Sequence, residues 1–215
     1  MTGAVPDASG DRRAAAVEIT FDGVGIIRGQ HWPGTDRAVI FLHAPDGDLD
    51  DWQDLPAVIA GQTGFAAVAL DLPGCGLSED PAGPWAIARL LAAIGDHLGL
   101  PPSRCMVATA GQTGLDVLAL DPMPPLAGLI ALAPPESGDL PRSPRLPKLL
   151  LASAAAPQTL QATRALANRV GGWAIVSAIS PGESDPWLLS GPWGVHVREQ
   201  AAAFVRDCLS RSTAR

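Results

Sequence analysis

Six short runs of uninterrupted apolar residues constrain the fold of this sequence more than any other feature. They occupy residues 38–42, 66–70, 105–108, 128–132, 149–151 and 173–176. A strand that is buried on both faces carries a continuous run of this kind, whereas a strand with one solvated face alternates apolar and polar residues. Strands buried on both faces are typical of parallel sheets, whose crossover connections are usually helices. The runs therefore predict a mostly parallel sheet that is covered by helices on both faces.

A hairpin pattern precedes the first run. Residues 17–21 and 24–28 are strand-like segments, and the dipeptide Asp22-Gly23 joins them. Asp-Gly in this position favours a tight turn between antiparallel strands. The predicted fold is thus a doubly wound α/β sheet of about eight strands, opened by an antiparallel hairpin. We expect one domain over residues 15–211, preceded by a disordered leader over residues 1–14.

Helical patterns fill the spaces between the runs. In the segment 87–98, apolar residues recur at the spacing of one helix face, and Gly99 follows as a typical helix end. Another helix is predicted from Val195 to Leu209. Alternation of helices with buried strands supports the doubly wound architecture.

The charge of the chain restricts its partners. The net charge is −7, and only 15 of the 215 residues are lysine or arginine. Nucleic acids and anionic membranes are bound by clustered basic residues, so neither is expected as a partner. The three cysteines form no ligand pattern, and we expect no cofactor and no metal. No secretory signal or membrane-spanning run is found, which favours a cytoplasmic location.

The most specific stretch of the sequence lies between residues 38 and 80. The first apolar run ends in His43-Ala44, Trp52 follows, and residues 68–78 have the sequence VALDLPGCGLS. These features resemble the α/β-hydrolase family, in which a strand ends in a His-Gly turn and the next strand leads into a DLPGxGxS-like segment. The resemblance implies an α/β-hydrolase fold. It also implies a member without a cap domain, because the link at residues 133–148, where family enzymes often insert one, is short and proline-rich.

The resemblance implies a catalytic serine in a G-x-S-x-G turn after the fifth strand. The matching turn has the sequence ATAGQTG at residues 108–114, where two registers are possible. One register places Ala110 at the nucleophile position, which leaves no reactive atom there. The other places Thr113 there, and its branched side chain crowds a turn that has little room. We expect Ala110 at this position and keep Thr113 as the alternative catalytic residue.

Three more residues belong to the oxyanion turn and pocket by the same resemblance: His43, Ala44 and Gln112. The family turn lends a backbone N–H to the oxyanion hole, while its histidine mostly orders the loop. We therefore expect His43 to order the loop, with contact to the pocket as the alternative. Ala44 stands where the family has glycine.

The expected partners of a nucleophile are missing from the sequence. In the family the acid follows the next-to-last strand, and the histidine lies in a loop before the last helix. Residues 152–156 contain no carboxylate, and Ala156 takes the acid position. Residues 180–187 contain no histidine, and we assign Ser184 to that position. The sequence thus predicts a degenerate triad of Ala110, Ala156 and Ser184.

Other motifs are better explained by structure than by chemistry. Asp46, Asp48 and Asp50 begin like a calcium loop, but the sixth position lacks glycine and the twelfth lacks glutamate. Glu79 stands where a dinucleotide fingerprint starting at Gly74 needs its third glycine. Cys75 and the remaining histidines have no partner in sequence that would make them reactive, so we expect structural roles for them.

Two functions stay open from the sequence. The first is a non-catalytic α/β-hydrolase-fold protein that binds a small apolar molecule or a protein partner. The second is an esterase or thioesterase that uses Thr113 with a non-standard base such as His43. We also expect Trp187 and Trp193 to flank the ligand or partner surface. The oligomeric state is left open.

Overall fold

The computed structural model describes residues 13–136, 138–179, 188–189 and 194–212, with side chains as far as residue 208. The strands are β1 (Ala15–Phe21), β2 (Gly25–Trp32), β3 (Ala38–Leu42), β4 (Ala66–Leu70), β5 (Cys105–Ala110), β6 (Gly128–Leu132), β7 (Lys148–Ser153) and β8 (Ala174–Ile179). The helices are α1 (Leu55–Thr63), α2 (Ile87–Leu98), α3 (Gln112–Leu118), α4 (Pro157–Val170) and α5 (Gly194–Ser212). Short helical turns also lie at Leu49–Trp52 and Pro102–Arg104.

The strands form a single sheet in the order β1-β2-β4-β3-β5-β6-β7-β8. The pairs β1–β2 and β2–β4 are antiparallel, and the other neighbours are parallel. Because β4 lies on one side of β3 and β5 on the other, the strand order reverses there. The loops after β3 and β5 therefore diverge and leave a crevice at the carboxyl edge, the usual ligand site of open α/β sheets.

Helices pack on both faces of the sheet, and each face has its own apolar core. Helices α1 and α5 bury Ile59 and Val197 on one face, against Phe41 of β3. Helices α2, α3 and α4 cover the other face, where Leu90 and Leu118 are fully buried. Full burial of each such side chain contributes roughly 1.5–3 kcal/mol. The central strands lie between the two cores, which explains their continuous apolar runs.

The predicted sheet is confirmed, and strands β3, β4 and β6 coincide with their apolar runs residue for residue. Strands β5, β7 and β8 end later than the runs that predicted them. The expected burial on both faces is wrong for β8. That strand lies at the edge of the sheet, and its Ile175 keeps 38% of its surface exposed. An edge strand has a neighbour on one side only, which an apolar run in the sequence does not indicate.

The link between β6 and β7 contains no helix in its described residues, 133–136 and 138–147. This agrees with the predicted absence of a cap domain. The leader stays a prediction, since residues 1–12 lie outside the described part of the chain. Over the residues that are described, no helix combines the length and the hydropathy needed to cross a bilayer.

Candidate functional site

The turn between β5 and α3 has the geometry of a nucleophile elbow. Strand β5 ends at Ala110, and α3 begins at Gln112. Between them Gly111 adopts φ 55° and ψ −134°, a conformation that is strained for any residue with a Cβ. The catalytic serine of the α/β-hydrolase fold occupies this sharp strand-to-helix turn. Gly111 thus has the backbone conformation expected at the nucleophile position, whereas Ala110 is the last residue of β5 and Thr113 lies within α3.

Gly111 faces the loop that follows β3. A Cβ built on Gly111 would lie 3.3 Å from the Cβ of Ala44, slightly closer than ordinary van der Waals contact. Ala44 stands where the family turn has glycine, so its methyl group takes space that a nucleophile would need. The absence of a side chain at Gly111 thus leaves room for the methyl group of Ala44.

Thr113 has a structural role in the fold. Its side chain is 1% exposed, and its hydroxyl donates a 2.7 Å hydrogen bond to the backbone oxygen of His43. This bond joins α3 to the end of β3. Within the described residues the hydroxyl has no imidazole or carboxylate partner, and Thr113 does not line the cavity beside the elbow. The geometry gives no support to Thr113 as a nucleophile.

His43 orders two loops. Its Nε2 accepts a 2.8 Å hydrogen bond from the N–H of Leu72, so Nε2 cannot itself carry a proton. The proton of the neutral ring is therefore on Nδ1, which donates to the backbone oxygen of Ala44 at 2.6 Å. The side chain has no exposed surface and does not line the cavity. Loop ordering was the expected role, and pocket contact is not observed.

Asp71 stabilises the segment that resembles DLPGxGxS through hydrogen bonds. Its carboxylate accepts hydrogen bonds of 2.8 Å from the N–H groups of Leu49 and Leu77. Gly76, with φ 50°, lies so close that a Cβ there would be 2.2 Å from a carboxylate oxygen of Asp71. Position 76 therefore requires glycine, the only residue without a Cβ. Asp71 joins the loop after β4 to the loop after β3, which forms one wall of the site.

A cavity of about 330 Å³ opens beside Gly111, and we call it the elbow cavity. Its lining residues are Ala44, Asp46, Asp51, Trp52, Ala110, Gly111, Leu132, Ala133, Leu188 and Leu189. All but two of these side chains are apolar, and the two exceptions are aspartates. Burial raises the pKa of Asp51. A hydrogen bond from the backbone of Asp48 lowers this pKa, but by less. The carboxylates of Asp48 and Asp46 raise this pKa further.

The wall of the elbow cavity comes from several loops. Trp52 is 1% exposed and packs edge-on against Phe41, with ring centroids 5.2 Å apart. Ala133, just after β6, has φ 45°, a backbone conformation that residues with a Cβ rarely adopt. Its N–H donates to Leu151 of β7 at 2.7 Å. Strained backbone of this kind is concentrated at ligand sites.

The structure describes the residue assigned to the acid position but not the residue assigned to the histidine position. Ala156 precedes α4 as its N-cap, and no carboxylate lies between Ser153 and α4. A methyl group therefore stands at the position assigned to the acid. Ser184, Trp187 and Trp193 lie outside the described residues, so their predicted roles stay predictions.

Two other predicted residues lie near the elbow without lining its cavity. The amide of Gln112 donates to Asp116 at 3.0 Å, so the side chain is turned along α3. Its backbone N–H, at the first position of α3, has no acceptor within the helix, and its place in the oxyanion hole stays a prediction of the family resemblance. Cys75 donates a long 3.6 Å hydrogen bond to Pro45. Burial and the carboxylate of Asp71 raise the pKa of its thiol, which agrees with the expected unreactive role.

Comparisons with known proteins agree with this geometry, although no family model matches the chain. A human protein named "Putative protein-lysine deacylase ABHD14B" is 32% identical over 137 residues, which cover 59% of this chain and 64% of that protein. A haloalkane dehalogenase variant, DbeA-M1 from Bradyrhizobium elkanii, has a TM-score of 0.72 at 12% identity, over 94% of this chain and 100% of that chain. A bacterial heroin esterase has a TM-score of 0.69 at 14% identity, over 95% of this chain and 87% of that chain. This chain has the α/β-hydrolase fold.

The α/β-hydrolase fold assigns no substrate to this chain. The chain spans 64% of the human relative, less than two thirds of its length, and the activity in that protein's name is a statement about that protein. The solved structures share the fold at low sequence identity. What this α/β-hydrolase-fold protein does must therefore be argued from its own site residues.

Proposed function

We propose that this α/β-hydrolase-fold protein is non-catalytic and binds a small, neutral, apolar molecule in the elbow cavity. The proposal is carried by Gly111 at the apex of the elbow. Covalent catalysis of this type needs a side-chain nucleophile at the apex, and glycine offers none. The tight contact expected between a Cβ at this position and Ala44 supports the same view.

The groups at the positions of the triad support the absence of Ser-His-acid chemistry. A general base must have a free lone pair within hydrogen-bond reach of its substrate. Both ring nitrogens of His43 are engaged by backbone groups, and the hydroxyl of Thr113 is engaged by a backbone oxygen. Ala156 offers no carboxylate to orient an imidazole. None of these described residues is available to activate a water molecule.

The lining of the elbow cavity supports a neutral ligand. Its volume of about 330 Å³ lies at the lower end of the range for small-molecule sites, roughly 300–1,000 Å³. Apolar walls favour an apolar ligand because water leaves both surfaces on binding. Asp46 and Asp51 disfavour an anion, since like charges repel strongly where water is partly excluded. A neutral hydrocarbon-rich molecule fits these walls.

A fluorescent probe tests ligand binding. N-phenyl-1-naphthylamine is neutral and apolar, and we expect its fluorescence to rise on binding and to fall when 1-octanol displaces it. Ala110→Leu should weaken binding at least about tenfold, because the larger side chain fills part of the cavity. Ala165→Leu, at an exposed site of α4, is the matched control and should leave binding unchanged. Equal binding to both variants would contradict the assignment of the ligand to this cavity.

A second measurement tests the absence of catalysis. The wild-type protein should hydrolyse short p-nitrophenyl esters and thioesters no faster than a Thr113→Ala variant, and a fluorophosphonate probe should not label it. Turnover that Thr113→Ala abolishes would contradict the proposal and restore the esterase hypothesis.

A further inference from the structure

A second cavity lies at the amino edge of the sheet, opposite to Gly111. It has a volume of about 410 Å³ and is formed by residues 123–126 before β6 and residues 142–146 before β7. Because β6 and β7 are parallel, both segments lie at the same edge. The second segment belongs to the proline-rich link that replaces a cap domain. The elbow cavity and its loops use none of these residues.

Two arginines give this cavity a charge opposite to that of the elbow cavity. Its lining combines apolar side chains, among them Met123, Leu126 and Leu146, with Arg142 and Arg145, and it includes no carboxylate. Both arginines are exposed, and neither has an ion pair or hydrogen bond within the part of the chain that the structure describes. In a protein with a net charge of −7, two unpaired guanidinium groups beside an apolar cavity favour an anionic ligand.

A buried hydroxyl in the same wall lacks a partner. Ser143 lines the cavity between the two arginines in sequence, and it is only 5% exposed. Its Oγ makes no hydrogen bond within the described residues. A buried polar atom of this kind usually has a partner in proteins, and a bound ligand is one way to provide it.

The loop that carries Arg142, Ser143 and Arg145 is held in place by hydrogen bonds. The buried ammonium of Lys148 donates hydrogen bonds to the backbone oxygens of Ser143, Leu146 and Gly171, at 2.6, 2.8 and 2.9 Å. The N–H of Ser143 also donates to Val170, at 2.9 Å. The positive charge of Lys148 therefore lies against the backbone of this loop. The cavity wall is formed before any ligand binds, which lowers the entropy cost of binding.

We propose that this arginine cavity, defined by residues 123–126 and 142–146, binds a carboxylate that carries an apolar chain. The carboxylate lies between Arg142 and Arg145, whose guanidinium groups form charge-assisted hydrogen bonds with it. The hydroxyl of Ser143 donates to the same carboxylate. The apolar chain packs on Met123 and Leu126. An alkylammonium of equal length is rejected by the arginines.

Methionine methyl groups provide a direct reporter of the arginine cavity. The chain has three methionines, Met1, Met106 and Met123, so ¹³C-methyl labelling gives a simple NMR spectrum that a Met123→Leu variant assigns. We expect sodium octanoate to shift the Met123 signal saturably. Met106, which is buried in the core, should move much less. Octylammonium chloride at the same concentrations should not give saturable binding at Met123.

Arginine variants test the charge. Arg142→Gln and Arg145→Gln should each weaken octanoate binding about tenfold, the effect of losing one good charge-assisted contact. Arg164→Gln, on the exposed side of α4, is the matched control and should leave the affinity unchanged. The proposal is overturned if octanoate gives no saturable shift at Met123. It is equally overturned if octylammonium binds as tightly, or if both cavity variants bind octanoate like the wild type.

Discussion

Lys148 is the only lysine of the chain, and at the scale of single residues it is in the least ordinary environment. It has no exposed surface, and its ammonium donates to three backbone oxygens, with no carboxylate partner among the described residues. Burial lowers the pKa of Lys148 to about 8. The carbonyl oxygens replace part of the hydration that the charge loses on burial. The residue is thus both a support for the arginine cavity and a titratable group near neutral pH.

A single ¹³Cε-lysine label should report this pKa directly, because there is one lysine to observe. We expect a titration midpoint of about 8 in the folded protein and the ordinary value, 10.5, in urea. Between these pH values the unfolded chain binds more protons than the folded chain. The contribution of Lys148 to the free energy of unfolding therefore rises with pH, by at most about 1.4 kcal/mol per pH unit.

The thiol of Cys105 also changes the free energy of unfolding with pH, so the test of Lys148 includes a control for it. Burial raises the pKa of its thiol to about 11, so the folded chain holds that proton longer and this contribution falls as pH rises above 9.0. The difference in unfolding free energy between the wild type and Lys148→Met removes the cysteine contribution. A folded-state midpoint for Lys148 at or above its ordinary value of 10.5 would contradict the prediction.

Asp71 allows a second test at the residue scale. Asp71→Asn replaces one acceptor oxygen by an N–H₂ group that faces a backbone N–H, because the two carboxylate oxygens accept from Leu49 and Leu77. We expect the free energy of unfolding to fall by about 2–3 kcal/mol, measured by urea denaturation. Asp139→Asn, at an exposed site, should change it by less than about 0.5 kcal/mol. Equal effects of the two variants would contradict the structural role of Asp71.

At the scale of elements, the sequence located the elbow but not its apex. The run at 105–108 and the glycines that follow predict a strand, a turn and a helix, and all three are present. Both registers, Ala110 and Thr113, follow from fitting the flanking glycine positions of G-x-S-x-G to the sequence, and neither leaves a glycine at the apex. Positive φ is the physical requirement at this position, and glycine meets it most easily. Of the two glycines in this turn, Gly111 and Gly114, Gly111 is the one with positive φ.

The fit between Gly111 and Ala44 gives the element-scale prediction. Gly111→Ser should lower the free energy of unfolding by about 1–3 kcal/mol, because a Cβ is strained at φ 55° and touches Ala44. Adding Ala44→Gly should recover part of this loss by removing the facing methyl group. Gly61→Ser is the control, because a Cβ there meets nothing within 4 Å. Urea denaturation of the wild type, Gly111→Ser, Ala44→Gly and the double variant measures the coupling, with Gly61→Ser as a fifth protein. Strict additivity of the two changes would contradict their contact.

At the scale of the whole molecule, the site depends on loops that are far apart in the sequence. The central strands and the predicted class of sheet follow from apolar runs, because burial between two helix layers leaves a clear pattern. The hydrogen bonds of His43 and Thr113 could not be predicted, since they depend on how the loops after β3, β4 and β5 approach one another. Cavity shape depends on the same long-range packing.

This dependence gives the last prediction, which concerns all three triad positions together. A protein with Ala44→Gly, Gly111→Ser, Ala156→Asp and Ser184→His should gain hydrolysis of p-nitrophenyl acetate. The gain over Ala44→Gly with Gly111→Ser alone should be about a hundredfold or more, the usual contribution of general-base catalysis. The position of Ser184 comes from the family resemblance. The same four-position protein with alanine at 111 is the control and should be inactive. If the serine and alanine versions hydrolyse the ester at equal rates, both above the rate of the Ala44→Gly and Gly111→Ser protein, the assignment of Gly111 to the nucleophile position is wrong.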